Sequence, residues 1–212
     1  MMSDDYTSAY RTAPLRVAVD ATCTHLQKDY LGNAGDARMH SSRAILASLR
    51  RVSTLEPSKY PLEFENVLMT LNPRLEEKAL GRGDSPSPSE RAAFAAMTLF
   101  SIHMESATSP MHNPRVSFAT ACGMLIGLNE SASIKPRVDA MLLAGNENSR
   151  MIHMRSLINL LRRREIPCDY GSLAEDLRRL SYTKSRPGVQ LRWGRDIATG
   201  VYRASQTNST HQ

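Results

Sequence analysis

Leu157-Ile158-Asn159-Leu160-Leu161-Arg162-Arg163-Arg164-Glu165-Ile166-Pro167-Cys168-Asp169-Tyr170-Gly171-Ser172-Leu173-Ala174-Glu175-Asp176-Leu177-Arg178-Arg179-Leu180 reads as two successive helices, each apolar on one side and arginine-bearing elsewhere. Just upstream, Met151 and Met154 join Ile158 and Leu161 at steps of three and four, and Leu157 and Leu160 widen the stripe. That is the spacing of one buried helix face. Arg155 and Arg162 lie about two turns apart on a shared face, since a turn takes roughly 3.6 residues. Pro167 stops this helix, because its ring removes a donor and crowds the preceding turn. Ser172 and Glu175 have the spacing of a capping box that starts the next helix. Its stripe is Leu173, Leu177 and Leu180, flanked by Arg178 and Arg179. A third segment, Gln190 to Ile197, carries the single tryptophan, Trp193, with Arg192 and Arg195.

Charge concentrates around this stretch. Residues 150–203 hold 12 Lys/Arg against 5 Asp/Glu, a net of +7, while the rest of the chain holds 15 against 16, a net of −1. The overall +6 therefore comes from the C-terminal quarter. Eleven of those twelve cations are arginine, whose planar fork pairs with phosphate and stacks on bases better than lysine does. Such asymmetry is a partner signal, set against the plainer reading of a solvated helical surface.

The 212 residues allow one or two domains, and 41% apolar content supplies a real core. Aromatics are sparse while Leu, Ala, Met and Arg are plentiful, which favours helix over sheet. No apolar run reaches the eighteen or more residues of a membrane span. The start, Met1-Met2-Ser3-Asp4-Asp5, is acidic and lacks the apolar core of a secretory signal. Cys23, Cys122 and Cys168 are odd in number and far apart, so free thiols in a reducing cytosol are expected. Without a CxxC pair, no zinc site is expected.

In chain order, residues 1–12 read as disordered. Pro14 opens a helix that ends near Leu31-Gly32-Asn33. A second helix over 40–52 buries Ala44, Ile45, Leu46 and Leu49 and ends on Arg50-Arg51, cations well placed against its dipole. Tyr60-Pro61 opens a third, to about Leu71. A mobile linker is expected over Gly81 to Ser89, which contains Arg-Gly-Asp. Neither that tripeptide nor Asn129-Glu130-Ser131 fits its extracellular role in a chain with cytosolic features. Ser87, Pro88 and Glu90 make a clear helix start. That helix runs through Phe94, Met97, Leu99 and Phe100 to about Met104, with Arg91 in its first turn, an odd place for a cation. Ser117 starts a helix to about Gly127, and Ser133 one through Arg137, Val138 and Met141. Asn146 or Asn148 can cap the helix of the opening stretch. The tail from Ser205 is polar and reads as frayed.

No catalytic constellation emerges. His103-Met104-Glu105 has an H-x-E spacing, but no Pro-Cys-x-x-Cys follows it and residues two apart on a helix do not face each other. His103 is instead expected in the core. P-loop, GxSxG and HExxH motifs are absent from the sequence. Binding becomes the default. Two alternatives stay open: a helical DNA- or RNA-binding regulator, which needs a helix reading base edges, and a helical enzyme with a convergent polar pocket.

The order of these features resembles the CasB family, the small subunit of the type I-E CRISPR surveillance complex Cascade, over residues 40–203. The carriers are Leu49-Arg50-Arg51-Val52, Ser89-Glu90-Arg91-Ala92-Ala93 through His103, Pro110-Met111-His112 and Val116-Ser117-Phe118. Further on they are Lys135-Pro136-Arg137 through Leu142, Arg155 to Leu161, Ile166 to Leu177 and Leu191-Arg192-Trp193-Gly194-Arg195-Asp196. The resemblance implies an all-α fold of two small bundles, about eight helices. An extension with one helix (1–38) would precede bundles at 39–128 and 129–204, and 205–212 would be a disordered tail. It implies a non-catalytic cytoplasmic subunit, without cofactor or metal, bound to the backbone and large subunits of Cascade and to a second copy of itself head to tail. With crRNA and both DNA strands as partners, it would help keep the R-loop open. The family's basic contact positions fall on Arg91, Arg137 and Arg155. The charge argument adds Arg50, Arg51, Arg162, Arg163, Arg178, Arg179, Arg192 and Arg195. The sparse aromatics argue against extensive base stacking, so Tyr170, Tyr182 and Trp193 are expected in the core or an interface.

Overall fold

The computed structural model describes residues 12–32, 35–128 and 131–209. Among these the chain forms nine α-helices, two single 3₁₀ turns and one two-residue strand pair, so the all-α class holds. In order the helices are α1 (Leu15–Tyr30), α2 (Asp36–Arg51), α3 (Pro61–Met69), α4 (Pro88–His103), α5 (Phe118–Gly127), α6 (Ile134–Leu143), α7 (Glu147–Arg163), α8 (Tyr170–Leu180) and α9 (Arg186–Ser209). The strands β1 (Thr12–Ala13) and β2 (Arg74–Leu75) pair in parallel, Thr12 with Arg74 and Ala13 with Leu75.

Helix α4 is the centre. The Ser87 hydroxyl accepts the Glu90 N–H at 3.1 Å, and the Glu90 carboxylate accepts the Ser87 N–H at 2.6 Å. This reciprocal cap satisfies two donors that a helix start leaves orphaned. The same carboxylate takes the Gly81 N–H at 3.0 Å, and the Ser87 hydroxyl donates to Ala79 O at 2.6 Å. The 81–89 segment, expected to be mobile, is thus bonded at both ends. Ala92, Ala93, Ala95 and Ala96 are buried, so neighbouring helices approach α4 closely on several sides. It packs against α8, α7, α2, α1 and α3.

Packing crosses residue 128 repeatedly. Helix α1 lies on α8, α4 on α7 and α8, and α5 along α9, and the buried apolar side chains join into one core. The α5–α9 seam is backbone on backbone. A Cβ at Gly123 would overlap the Ile197 carbonyl oxygen, one at Gly200 the Thr120 carbonyl oxygen, and one at Gly127 would lie 2.6 Å from Ala204 Cβ. Only glycine lets two helix axes approach this far.

A buried polar chain fixes α8 to the rest. His103 Nδ1 and the Tyr170 hydroxyl share a hydrogen bond at 2.8 Å, and both side chains are buried. His112 Nδ1 accepts the Tyr170 N–H at 3.2 Å, so its proton sits on Nε2 and points to Asp20 Oδ1, 3.0 Å away. Gln27 holds the His112 backbone from both sides, at 2.8 and 3.0 Å. Asp176 accepts from Trp193 Nε1 at 2.6 Å and from Arg192.

Several local expectations need correction. Helix α8 starts earlier than read: Asp169 is its cap, accepting the Ser172 N–H at 2.8 Å, whereas Glu175 lies a turn inside and pairs with Arg178. Aspartate caps as well as serine does, so the sequence offered two starts and burial of Tyr170 selected the first. Helix α7 stops at Arg163, before Pro167, where Glu165 adopts a positive φ of 50°. Helix α2 begins at Asp36 instead of 40. Of the three aromatic residues expected in the core or an interface, Tyr170 and Trp193 lie in the core and Tyr182 is 46% exposed. The Gln190–Ile197 segment belongs to the 24-residue α9, which carries 205–209 in helix; residues 210–212 and most of the expected disordered start lie outside the described residues.

Candidate nucleic-acid interface

Helix α7 sets the arginines in space. Asn146 caps it by accepting the Ser149 N–H at 2.8 Å. Its buried stripe includes Met151, Met154, Leu157, Ile158 and Leu161, which turns Arg155 toward the first turn of α4. There Arg91 donates to Pro86 O at 2.7 Å and faces Glu147 at 3.4 Å. Arg91 and Arg155 therefore line one cavity of about 260 Å³, together with Phe94, Glu147, Asn148 and Met151. Burial works against the charge on Arg155 and pushes its guanidinium down from its ordinary value. Its Nε is buried without a hydrogen-bond partner among the described residues, a donor left in want of an acceptor.

Of the three residues first in line, then, two share a wall. Arg137 does not reach that cavity: it sits on α6 and donates to Ser156 Oγ at 2.8 Å. The other arginines divide by partner. Arg50 and Arg162 both turn to Glu105, Arg50 at 3.8 Å while also donating to Ser101 O at 3.1 Å. Arg178 binds Glu175, and Arg192 binds Asp176. The Glu175 hydrogen bond pushes the Arg178 guanidinium up. These four brace helices while keeping part of each side chain at the surface. Arg51, Arg163 and Arg195 are exposed and form no ion pair among the described residues. Arg179 is half-buried.

Sequence reasoning passed over two residues. Arg150 and Arg186 line a second cavity of about 220 Å³ with Arg91, Glu147, Leu177 and Ser181. Arg150 is 4% exposed and donates to Ala144 O at 2.6 Å. The signal was present: Arg150 stands four residues before Met154, in line with the apolar stripe, where a cation is bound to be buried. Arg186 donates to Leu180 O at 3.0 Å and joins the end of α8 to the start of α9.

One group of potential metal ligands comes together among the described residues: Asp20, His112 and Asp169, with ligand atoms within 4.8 Å of one another. Hydrogen bonding accounts for it. Both His112 nitrogens are engaged, and Asp169 caps α8 with Arg16 at 3.6 Å. Burial raises the Asp169 carboxyl, against the Ser172 N–H, His112 and Arg16. Cys23, Cys122 and Cys168 are free, buried thiols, all pushed up by burial. No helix among the described residues is long and apolar enough to cross a membrane.

No curated protein matches the chain. Its fold is similar to that in the crystal structure of CasB from Thermobifida fusca, with a TM-score of 0.67 and 23% identity, over 88% of this chain and 99% of that one. The family model for the CRISPR-associated protein Cse2 matches residues 45–196, a span that includes α4, α7, α8 and both arginine-lined cavities. The chain belongs to the CRISPR-associated protein Cse2 family, the CasB family that its sequence resembles.

Proposed function

We propose that the chain is a non-catalytic, nucleic-acid-binding subunit of a type I-E CRISPR Cascade, gripping target and displaced DNA strands and stabilising the R-loop. The observation that carries this reading is the cavity shared by Arg91 and Arg155, where a buried guanidinium nitrogen lacks an acceptor. Membership of the Cse2 family supports the assembly. In such a complex guide pairing reads sequence and the protein holds backbone. The exchange of duplexes is nearly balanced, so a few phosphate contacts tip it. The partners are the backbone and large subunits, a second copy head to tail, crRNA and both DNA strands, in the cytoplasm.

The test is fluorescence anisotropy of labelled single-stranded DNA, on two unrelated sequences over a salt series. The wild-type chain is compared with the triple variant Arg91→Ala, Arg137→Ala, Arg155→Ala. The wild type should bind both sequences alike, with a log–log salt slope of roughly −0.7 per phosphate neutralised. The variant should bind both more weakly and with a shallower slope, at unchanged helix content. Strong preference for one sequence, or unchanged affinity in the variant, would overturn the reading of these residues.

A further inference from the structure

Among the described residues, only Arg91 and Glu147 line both cavities. Their ion pair, Nε to Oε2 at 3.4 Å, stands as a partition, with Arg155 on one side and Arg150 and Arg186 on the other. Each side holds an unsatisfied donor: the Nε atoms of Arg155 and Arg150 are buried and have no hydrogen-bond partner among the described residues. Arg150 is almost wholly buried. Its desolvation and the nearby Arg186 both work against its charge, and Glu147 is the group that favours it. A buried cation facing another cation is costly until an anion stands between them.

Glu147 supplies that anion only in part. It is 47% exposed and pairs with Arg91, leaving both Nε donors unmet. It also occupies the first position of α7, where the helix dipole favours negative charge. A carboxylate thus sits where four arginines and a helix start converge, on a side chain free enough to swing out. A phosphodiester brings the same charge and more acceptor oxygens, and Arg matches it bidentately.

We propose that Glu147 is a built-in stand-in for a nucleic-acid phosphate. A single-stranded DNA backbone displaces it from Arg91 and seats one phosphodiester against Arg91, Arg150 and Arg186, joining the two cavities into one trough. This rests on the nucleic-acid reading above, and adds to it two contact residues and one competitor. The competitor has a purpose: it keeps the buried arginines compensated until DNA arrives, and makes the seat selective for anions that out-compete a carboxylate.

The experiment is anisotropy with labelled single-stranded DNA over a salt series, on Glu147→Gln, the control Glu77→Gln and the double variant Glu147→Gln/Arg186→Gln. Glu77 is an exposed carboxylate on a surface turn, so its replacement changes net charge equally without touching the trough. E147Q should tighten binding roughly five-fold, the scale of one exposed ion pair. Its salt slope should stay near the wild-type value, because the same phosphodiester is seated in both proteins and only its competitor has gone. The double variant should lose that gain, and E77Q should stay near wild type. If all proteins bind DNA but E147Q gains no more than E77Q, the partition is refuted while the nucleic-acid reading stands. If none binds at low salt, both fall.

Discussion

Acidification from about pH 7.5 to about pH 5 should cost the fold about 2 kcal/mol through His103 alone. The ring lies at the end of α4, fully buried, with its Nδ1 against the Tyr170 hydroxyl. Burial, with the charge of Arg162 adding to it, outweighs the Ile166 backbone hydrogen bond and holds the imidazole down at about 3. In the unfolded chain the same ring titrates near 6.5. Below that value the unfolded state takes up a proton that the folded state refuses, so stability falls as pH falls. The loss continues until the folded ring itself protonates near 3. At pH 5 the gap is about 1.5 units, and at ~1.36 kcal/mol per unit this gives the 2 kcal/mol. The assay is urea unfolding followed by circular dichroism at the two pH values, on wild type and His103→Asn. The amide oxygen of asparagine stands near the position of Nδ1 and keeps an acceptor for Tyr170. The variant starts less stable, but its loss between the two pH values should be smaller by about 2 kcal/mol, because every other titrating group is common to both. Equal losses in the two proteins would refute the assignment of a neutral, buried His103.

The remaining predictions concern the helix seam and the assembly. Gly123→Ala drives a methyl group into a main-chain oxygen of α9 and should cost about 3 kcal/mol or more in thermal unfolding. Gly194→Ala, on the same α9 but with open space around it, should leave stability equal or raise it by ~0.5–1 kcal/mol; a similar loss at both positions would remove the seam as the cause. Co-expressed with the backbone subunits of Cascade, the chain should co-purify with them in gentle salt. Failure to do so would count directly against the proposed assembly.

Periodicity made most helices legible, because all but the central α4 set one face against the core. Ser87-Pro88-Ser89-Glu90 gave the start of α4 to the residue, since both capping partners lie within four positions. The start of α8 was misread because Asp169 and Ser172 are both good caps, and the arbiter was burial of Tyr170 against His103, sixty-seven residues away in sequence. The site was legible only in its cations. Arg91 and Arg155, both named from the sequence, line one cavity, but the partners that sort the arginines are distant: Glu105 for Arg50 and Arg162, Glu147 for Arg91. A charge count cannot tell a bracing arginine from a waiting one. It also treats a basic residue in line with an apolar stripe as surface, which is why Arg150 escaped notice.

The seam between α5 and α9 bears on how such a chain can diverge. The atoms that exclude a side chain at Gly123 and Gly200 are main-chain carbonyls, which every residue type carries. No exchange on the facing helix can therefore make room, and the two glycines cannot rescue each other by changing together. A lineage that loses either one must first slide the two helices apart. Once they have slid apart the constraint on both positions lifts together, so the two glycines should be kept or lost as a pair, while the side chains around them trade volume freely.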